Sequence, residues 1–324
     1  MLADCGLPGN QRLRERRGGE RWRAKQKGMI PIWLDTDIGS DVDDAVALLC
    51  ALRHPDIRLV GISTVLHRVE INTWLAREMV TRAGAGGIPV LPGAMARLGA
   101  EYEQKGDWMP SHGRLAPSDL PRLSPVQDAD RVATVAEAMM AMAQPFHLLT
   151  IGPLTNIGHL LTRHADVTAK WSAVTCMGGW IESEPEYNVH CDVTAAQMVL
   201  QRLNPRMVGL EASSYTLTRE EAEAALDPSD PASAFLLDCY REYRSQADWL
   251  PSPDQAPLTL FDAITLLSLV RPQAFDFQEV RALVESDGRM RLTDDGAPVT
   301  YAMSCDWDAV KPLITELLWK GQAA

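Results

Sequence analysis

The chain has 324 residues, 46% of them hydrophobic, and a formal charge of −12. That length can bury a large core in one or two α/β domains, the charge argues against a nucleic-acid partner, and no apolar run approaches the roughly 20 residues of a membrane span. No signal peptide is visible, and six cysteines, at positions 5, 50, 176, 191, 239 and 305, lack CxxC or metal spacing. They read as reduced thiols of a cytoplasmic protein, with Cys50, Cys176 and Cys239 in apolar runs of the core.

Residues 1–28 are a different material. They hold eight basic residues against three acidic ones, a net of +5 that leaves −17 for the rest of the chain. A polar, basic arm of this kind is expected to be disordered. Arg16-Arg17 precedes no apolar segment, which rejects a twin-arginine export signal. The expectation is that Met29 is the start, with residues 1–28 an upstream extension dispensable for fold and activity, and that 29–324 form a single catalytic domain.

From Met29 onward strand-like apolar runs alternate with helical patterns. Strands are predicted at 30–34, 57–65, 146–151, 172–177 and 206–210, and helices at 44–52, 72–83, 131–143, 154–163, 193–203, 232–245, 262–270 and 307–319. This alternation predicts an α/β fold, a mainly parallel open sheet with helices on both faces. Residues 98–128, rich in Pro, Gly and charge, show no period and read as a long loop or lid beside the site. Gly84-Ala-Gly-Gly87 follows a helix, so it reads as a helix-ending turn rather than a phosphate cradle.

Between the first strand and the first helix lies Asp35-Thr-Asp37-Ile-Gly39-Ser-Asp41-Val-Asp43-Asp44, with five carboxylates in ten residues. Open α/β sheets place ligands at the carboxyl ends of their strands, and a helix N-terminus is electropositive. So many negative groups in one crevice repel unless a cation sits among them. The side-chain donors here are oxygen, which selects a hard ion. An EF-hand loop is excluded by spacing: counted from Asp35, position six is Ser40 and position twelve is Val46. An aspartyl-phosphate enzyme would use Asp35 and Asp37 but leave Asp43-Asp44 without a task.

This string resembles the signature of the inosine-uridine preferring nucleoside hydrolases, in a variant with two extra residues between the glycine and the final acidic pair. The resemblance continues in Ile88-Pro-Val-Leu-Pro-Gly93, Leu149-Thr-Ile-Gly-Pro-Leu-Thr-Asn156, Met177-Gly-Gly179, Glu186-Tyr-Asn188 with Asp192, and Asp262 opening a late helix. It implies a nucleoside-hydrolase-like fold and hydrolysis of ribonucleosides to free base and ribose, with Ca²⁺ as cofactor and a homodimer or homotetramer as assembly. By resemblance, Asp37 ligates Ca²⁺ and acts as general base on water, while Asp44, Asp262 and the backbone carbonyl of Ile151 complete the ion's protein ligands. Asp43, Glu186 and Asn188 match positions that hold the ribose hydroxyls, and Met177 packs on the sugar. Asp35 is left to orient its neighbours or stabilise the loop, and Asp41, inside the insertion, has no assigned role.

The sequence also departs from the family pattern. A histidine that protonates the leaving base in several members is replaced by Phe261, and Leu66-His67 stands where relatives carry Gly-Asn. The loop 177–186 is short and lacks an asparagine that contacts the 5′ hydroxyl. His112, in Ser111-His-Gly113, resembles a His-Gly segment that reaches the base in pyrimidine-preferring members, and its near-neutral pKa suits an acid. His67 is the candidate for the missing-asparagine position. Tyr240, Tyr243 and Trp249 either stack on the base or pack an amphipathic helix on the core. Two alternatives to nucleoside hydrolysis stay open: a related ribosyl compound with an altered 5′ group, or a non-catalytic nucleoside binder.

Overall fold

The computed structural model describes residues 28–39, 41–66, 68–98, 128–246, 252 and 256–319. The basic extension up to residue 27, His67, His112, Trp249 and all but the two ends of the expected 98–128 loop lie outside these residues.

The first strand, β1 (Ile30–Thr36), is apolar on both faces because parallel neighbours flank it and helices cover it above and below. The acidic turn follows, then helix α1 (Asp43–Arg53). Next come β2 (Ile57–Thr64), α2 (Val69–Arg82), β3 (Val90–Pro92), α3 (Asp128–Met140), β4 (Phe146–Thr150) and α4 (Thr155–Arg163). The chain continues through β5 (Trp171–Met177), the short helix α5 (Tyr187–Cys191), α6 (Val193–Leu203), β6 (Arg206–Val208) and α7 (Leu210–Ser213). After β7 (Thr216–Leu217), α8 (Arg219–Ala225), α9 (Pro231–Gln246), β8 (Leu258–Thr259) and α10 (Phe261–Leu267), three long-range strands β9 (Phe275–Val284), β10 (Met290–Leu292) and β11 (Ala297–Cys305) precede α11 (Trp307–Trp319).

Nine strands make one sheet in the order β10-β9-β11-β6-β5-β4-β1-β2-β3. The run from β11 to β3 is parallel throughout, and β9 and β10 extend it antiparallel. Helices cover both faces. Leu34, Leu149 and Val208 point to the side packed by α1, α2, α9, α10 and α11, whereas Trp33, Leu148 and Met207 point to the side packed by α3, α4 and α6. Cys50, Cys176 and Cys239 are buried in these cores.

Two expectations need correction, and one open choice is decided. The predicted 206–210 strand ends at Val208, because the chain turns at Gly209 and the Leu210 amide bonds the Gly179 carbonyl at 2.9 Å instead of a neighbouring strand. The expected alternation misses β9 to β11, where adjacent Gln278 and Glu279 break the period-two pattern. Tyr240 is fully buried and donates to the Ala256 carbonyl at 2.5 Å, which makes it a core residue rather than a stacking platform.

Trp33 fixes the register of the central strand. Its indole N–H donates to Ser63 Oγ at 3.0 Å, and the β1–β2 register shifts where Trp33 pairs with Gly61. A Cβ on Gly61 would lie 2.3 Å from the Trp33 ring. Gly61→Ala is therefore expected to destabilise the protein by about 1–3 kcal/mol through overpacking, read as a lowered denaturation midpoint with unchanged m-value.

Candidate active site

The acidic turn is built by its own hydrogen bonds. Gly39 takes φ +110°, which lets the chain reverse between β1 and α1. The Ile38 amide donates to Thr36 Oγ1 at 3.1 Å, and the Thr36 hydroxyl donates in turn to Asp44 Oδ1. Asp44 N donates to Asp43 Oδ1 at 3.1 Å, and Asp43 N to Asp41 Oδ1 at 2.9 Å. Asp43 and Asp44 occupy the first turn of α1, where the helix macrodipole favours negative charge.

Other strand ends supply the rest. Asp37 lies against Gly152, next to Ile151 at the end of β4; a Cβ on Gly152 would stand 2.7 Å from both the amide nitrogen and Oδ1 of Asp37. Asn188 donates from Nδ2 to the Ile151 carbonyl at 2.9 Å and meets Met177 Sδ at 3.3 Å. Glu186 caps α5, accepting from Asn188 N at 2.8 Å, Val189 N at 3.1 Å and Gly179 N at 2.9 Å. Asp262, in the first turn of α10, is 2% exposed and brings a carboxylate from the far end of the chain.

Oxygens of Asp43, Asp44 and Asp262 all lie within 4.8 Å of one another, a buried acidic triad that can hold a metal ion. Burial pushes all three carboxyls well above the usual range. Mutual repulsion adds to it: Asp262 and Asp41 act on Asp43, Asp37 and Asp41 on Asp44, and Asp44, Asp37 and Asp41 on Asp262. Such a cluster is costly to ionise without a cation. The donor set is oxygen throughout, so it fits a hard ion.

The fold thus gathers Asp37, Asp43, Asp44, Ile151, Met177, Glu186, Asn188 and Asp262 at the carboxyl ends of β1, β4 and β5. It also shows the partners of two acids outside the expected ligand set. Asp35 is fully buried; its Oδ1 accepts from Ser63 Oγ and from Asn156 Nδ2 at 2.8 Å, and burial lifts its carboxyl to about 7. Asp192 caps α6 and takes Thr155 Oγ1 and Leu98 N, both at 2.7 Å, on its other oxygen. Those bonds tie the sugar-side helix α5, the β4–α4 turn and residue 98 together. Phe261 packs against the core, so no titratable group stands immediately before Asp262.

A family profile for inosine-uridine preferring nucleoside hydrolases matches residues 32–312. The chain belongs to this family. A pyrimidine-specific ribonucleoside hydrolase RihA of Shewanella sp. strain ANA-3 is 30% identical over 278 residues, covering 81% of this chain and 84% of its own. RihA of Escherichia coli O9:H4 is 29% identical over 276 residues, covering 80% and 86%. Among solved structures, the plant nucleoside hydrolase PpNRh1 superposes with a TM-score of 0.73 at 19% identity, over 90% of this chain and 99% of its own. The inosine-uridine preferring nucleoside hydrolase of Bacillus anthracis does so with 0.70 at 21%, over 90% and 100%.

This nucleoside hydrolase therefore cleaves the N-glycosidic bond of ribonucleosides, and the carboxylate-lined crevice is where its fold concentrates the means. Among the described residues no helix is long and apolar enough to cross a membrane.

Asp35 yields a pH dependence. Burial raises its folded pKa to about 7, well above the ordinary carboxylate range, so the folded chain binds the extra proton. Its contribution to stability is full below about 4 and is lost as pH rises through 7. In chelator, the parent is expected to lose stability between these limits relative to Asp35→Asn, measured by denaturant titration at each pH; a parallel pair of curves would count against a buried, protonated Asp35. Gly152→Ala displaces Asp37, and a displacement near 1 Å is expected to lower kcat on the order of 100-fold, with some loss of melting temperature because the overlap is with the Asp37 backbone.

Proposed function

We propose that this hydrolase uses Ca²⁺, with Asp37, Asp44, Asp262 and the Ile151 carbonyl as protein ligands and Asp37 as the general base. The observation that supports it most is the buried triad of Asp43, Asp44 and Asp262, whose oxygens converge within 4.8 Å. When bound, the ion would neutralise these carboxylates and acidify the attacking water.

The chain's own groups do the remaining work. Asp37 takes the proton of water from a position that Gly152 leaves open. Anionic carboxylates around C1′ favour an oxocarbenium-like ribosyl transition state. Asp43, Glu186 and Asn188 accept or donate to the ribose hydroxyls, each charged hydrogen bond contributing about 1.5–3 kcal/mol, and Met177 closes the apolar side of the sugar. Asp43 belongs geometrically to the triad; we assign it to the ribose by resemblance to the family, with its Oδ1 held by the Asp44 amide.

We assign pyrimidine ribonucleosides as the preferred substrates. The curated relatives at 29–30% identity are named pyrimidine-specific, and the Ser111-His112-Gly113 segment resembles that of pyrimidine-preferring members. With Phe261 in place of an acid, His112 is the proposed proton donor to the departing base and His67 a proposed contact at the sugar; both lie outside the described residues. A cytoplasmic homodimer or homotetramer completes this reading.

Ribose release from uridine, cytidine, inosine and adenosine is the direct test. Uridine and cytidine should lead, and excess chelator should abolish release until Ca²⁺ is restored. Asp37→Asn is expected to lower kcat by about 1,000-fold, within the range of general-base loss, while still binding nucleoside by calorimetry. Turnover that persists in chelator, or in Asp37→Asn, would refute the assignment.

A further inference from the structure

We propose that Asp41, in the two-residue insertion, is a positioning residue for the neighbouring ribose carboxylate Asp43 and, through it, for Asp44. The proposal rests on the assignment of Asp43 to the ribose made above.

The acidic turn contains a relay in which one acid orients the next. Asp41 Oδ1 accepts from Asp43 N at 2.9 Å, Asp43 Oδ1 accepts from Asp44 N at 3.1 Å, and Asp44 Oδ1 is held by the Thr36 hydroxyl. At the Thr36 end the relay is closed by the Ile38 amide and by the β1 backbone. At the other end Asp41 is the first acceptor. The N-cap residue of α1, Val42, offers no side-chain cap, so Asp41 supplies the oxygen that holds the first helical amide. The same Oδ1 also faces Thr259 Oγ1 at 3.4 Å, a long contact from β8. Thr259 lies three residues before Asp262, so Asp41 stands between the two segments that bring carboxylates to the triad. Asp43 and Asp44 are buried whereas Asp41 is only half-buried, which suits an anchor at the rim better than a ligand inside.

An asparagine at 41 keeps the accepting oxygen; an alanine removes it. In Asp41→Ala, KM for a ribonucleoside should rise about tenfold, the equivalent of one hydrogen bond between charged and neutral groups, with a smaller change in kcat. Asp41→Asn should recover most of that loss. Calorimetric titration of the ion-free protein with Ca²⁺ reads the same relay without substrate, because Asp44 is oriented through Asp43: affinity should fall in Asp41→Ala and recover in Asp41→Asn, with both variants melting near the parent. Thr259→Val is the second variant, expected to have a smaller effect that disappears in the Asp41→Ala background. Asp41→Ala within twofold of the parent in both readouts would overturn the proposal, and so would Asp41→Asn as impaired as Asp41→Ala, which would show that charge acts rather than the hydrogen bond. Asp43→Ala separates this from the parent reading: an unchanged KM there removes the ribose assignment of Asp43, whatever the Asp41 series gives.

Discussion

The structure depends on burying several carboxylates in one crevice without letting them repel the fold apart. Asp35, Asp37, Asp43, Asp44, Glu186 and Asp262 are each 7% exposed or less. An isolated buried carboxylate is costly, so each is placed where something offsets the charge. Asp43 and Asp44 lie in the first turn of α1 and Asp262 in the first turn of α10. Glu186 accepts three backbone amides, and burial still pushes its carboxyl upward. These devices hold the acids in place but do not cancel the repulsion within the triad, and that remainder fits the crevice for a metal ion.

The sheet decides which acids can meet. β1 is flanked by β2 and β4, so the turn that follows it opens inside the parallel run, away from the sheet's edges. α10 packs directly on α1 and thereby delivers Asp262 across more than two hundred residues of sequence. The antiparallel arm has a less direct part. Glu182 N bonds the Met290 carbonyl at 2.9 Å, Ile181 N bonds Glu211 Oε1 at 2.7 Å, and Tyr301 donates to the other oxygen of Glu211. These bonds brace the 177–186 loop, and with it Gly179, whose amide holds Glu186. A short sugar-side loop is thus stiffened by strands that line no part of the crevice themselves.

The β1–turn–α1 unit was legible in the sequence because its signals are local: an apolar run, a glycine that needs φ +110°, and an apolar period of 3.6 starting at two acids. The Ile151 carbonyl was a candidate only through resemblance, since a main-chain oxygen leaves no mark on the side chain. β9 to β11 were missed even though Asp287-Gly288, with Gly288 at φ +93°, marks a hairpin turn; strands half-exposed at a sheet edge carry interleaved charge that hides their alternation. Helix α5 escaped for another reason. Its cap is Glu186, a poor N-cap by propensity, so the sequence carries no start signal there. A scaffold role for Asp35 was expected, but its partners and those of Asp192 were unreadable, because Ser63, Asn156, Thr155 and Leu98 reach them only in the folded chain.

Counting lone pairs carries the argument one step further. A carbonyl oxygen has two acceptor positions, and the Ile151 carbonyl gives one to Asn188 Nδ2 at 2.9 Å. That bond fixes the orientation of the carbonyl, so Asn188 positions the proposed main-chain ligand. Asp44 is arranged alike, one oxygen held by Thr36, and so is Asp43, one oxygen held by the Asp44 amide. Each group at the crevice therefore spends part of its hydrogen-bonding capacity on the scaffold and keeps the rest for ion or ribose. Conservative substitutions at Thr36 or Asn188 should for this reason disturb the site through its neighbours, since what they remove is the orientation of an oxygen that still remains.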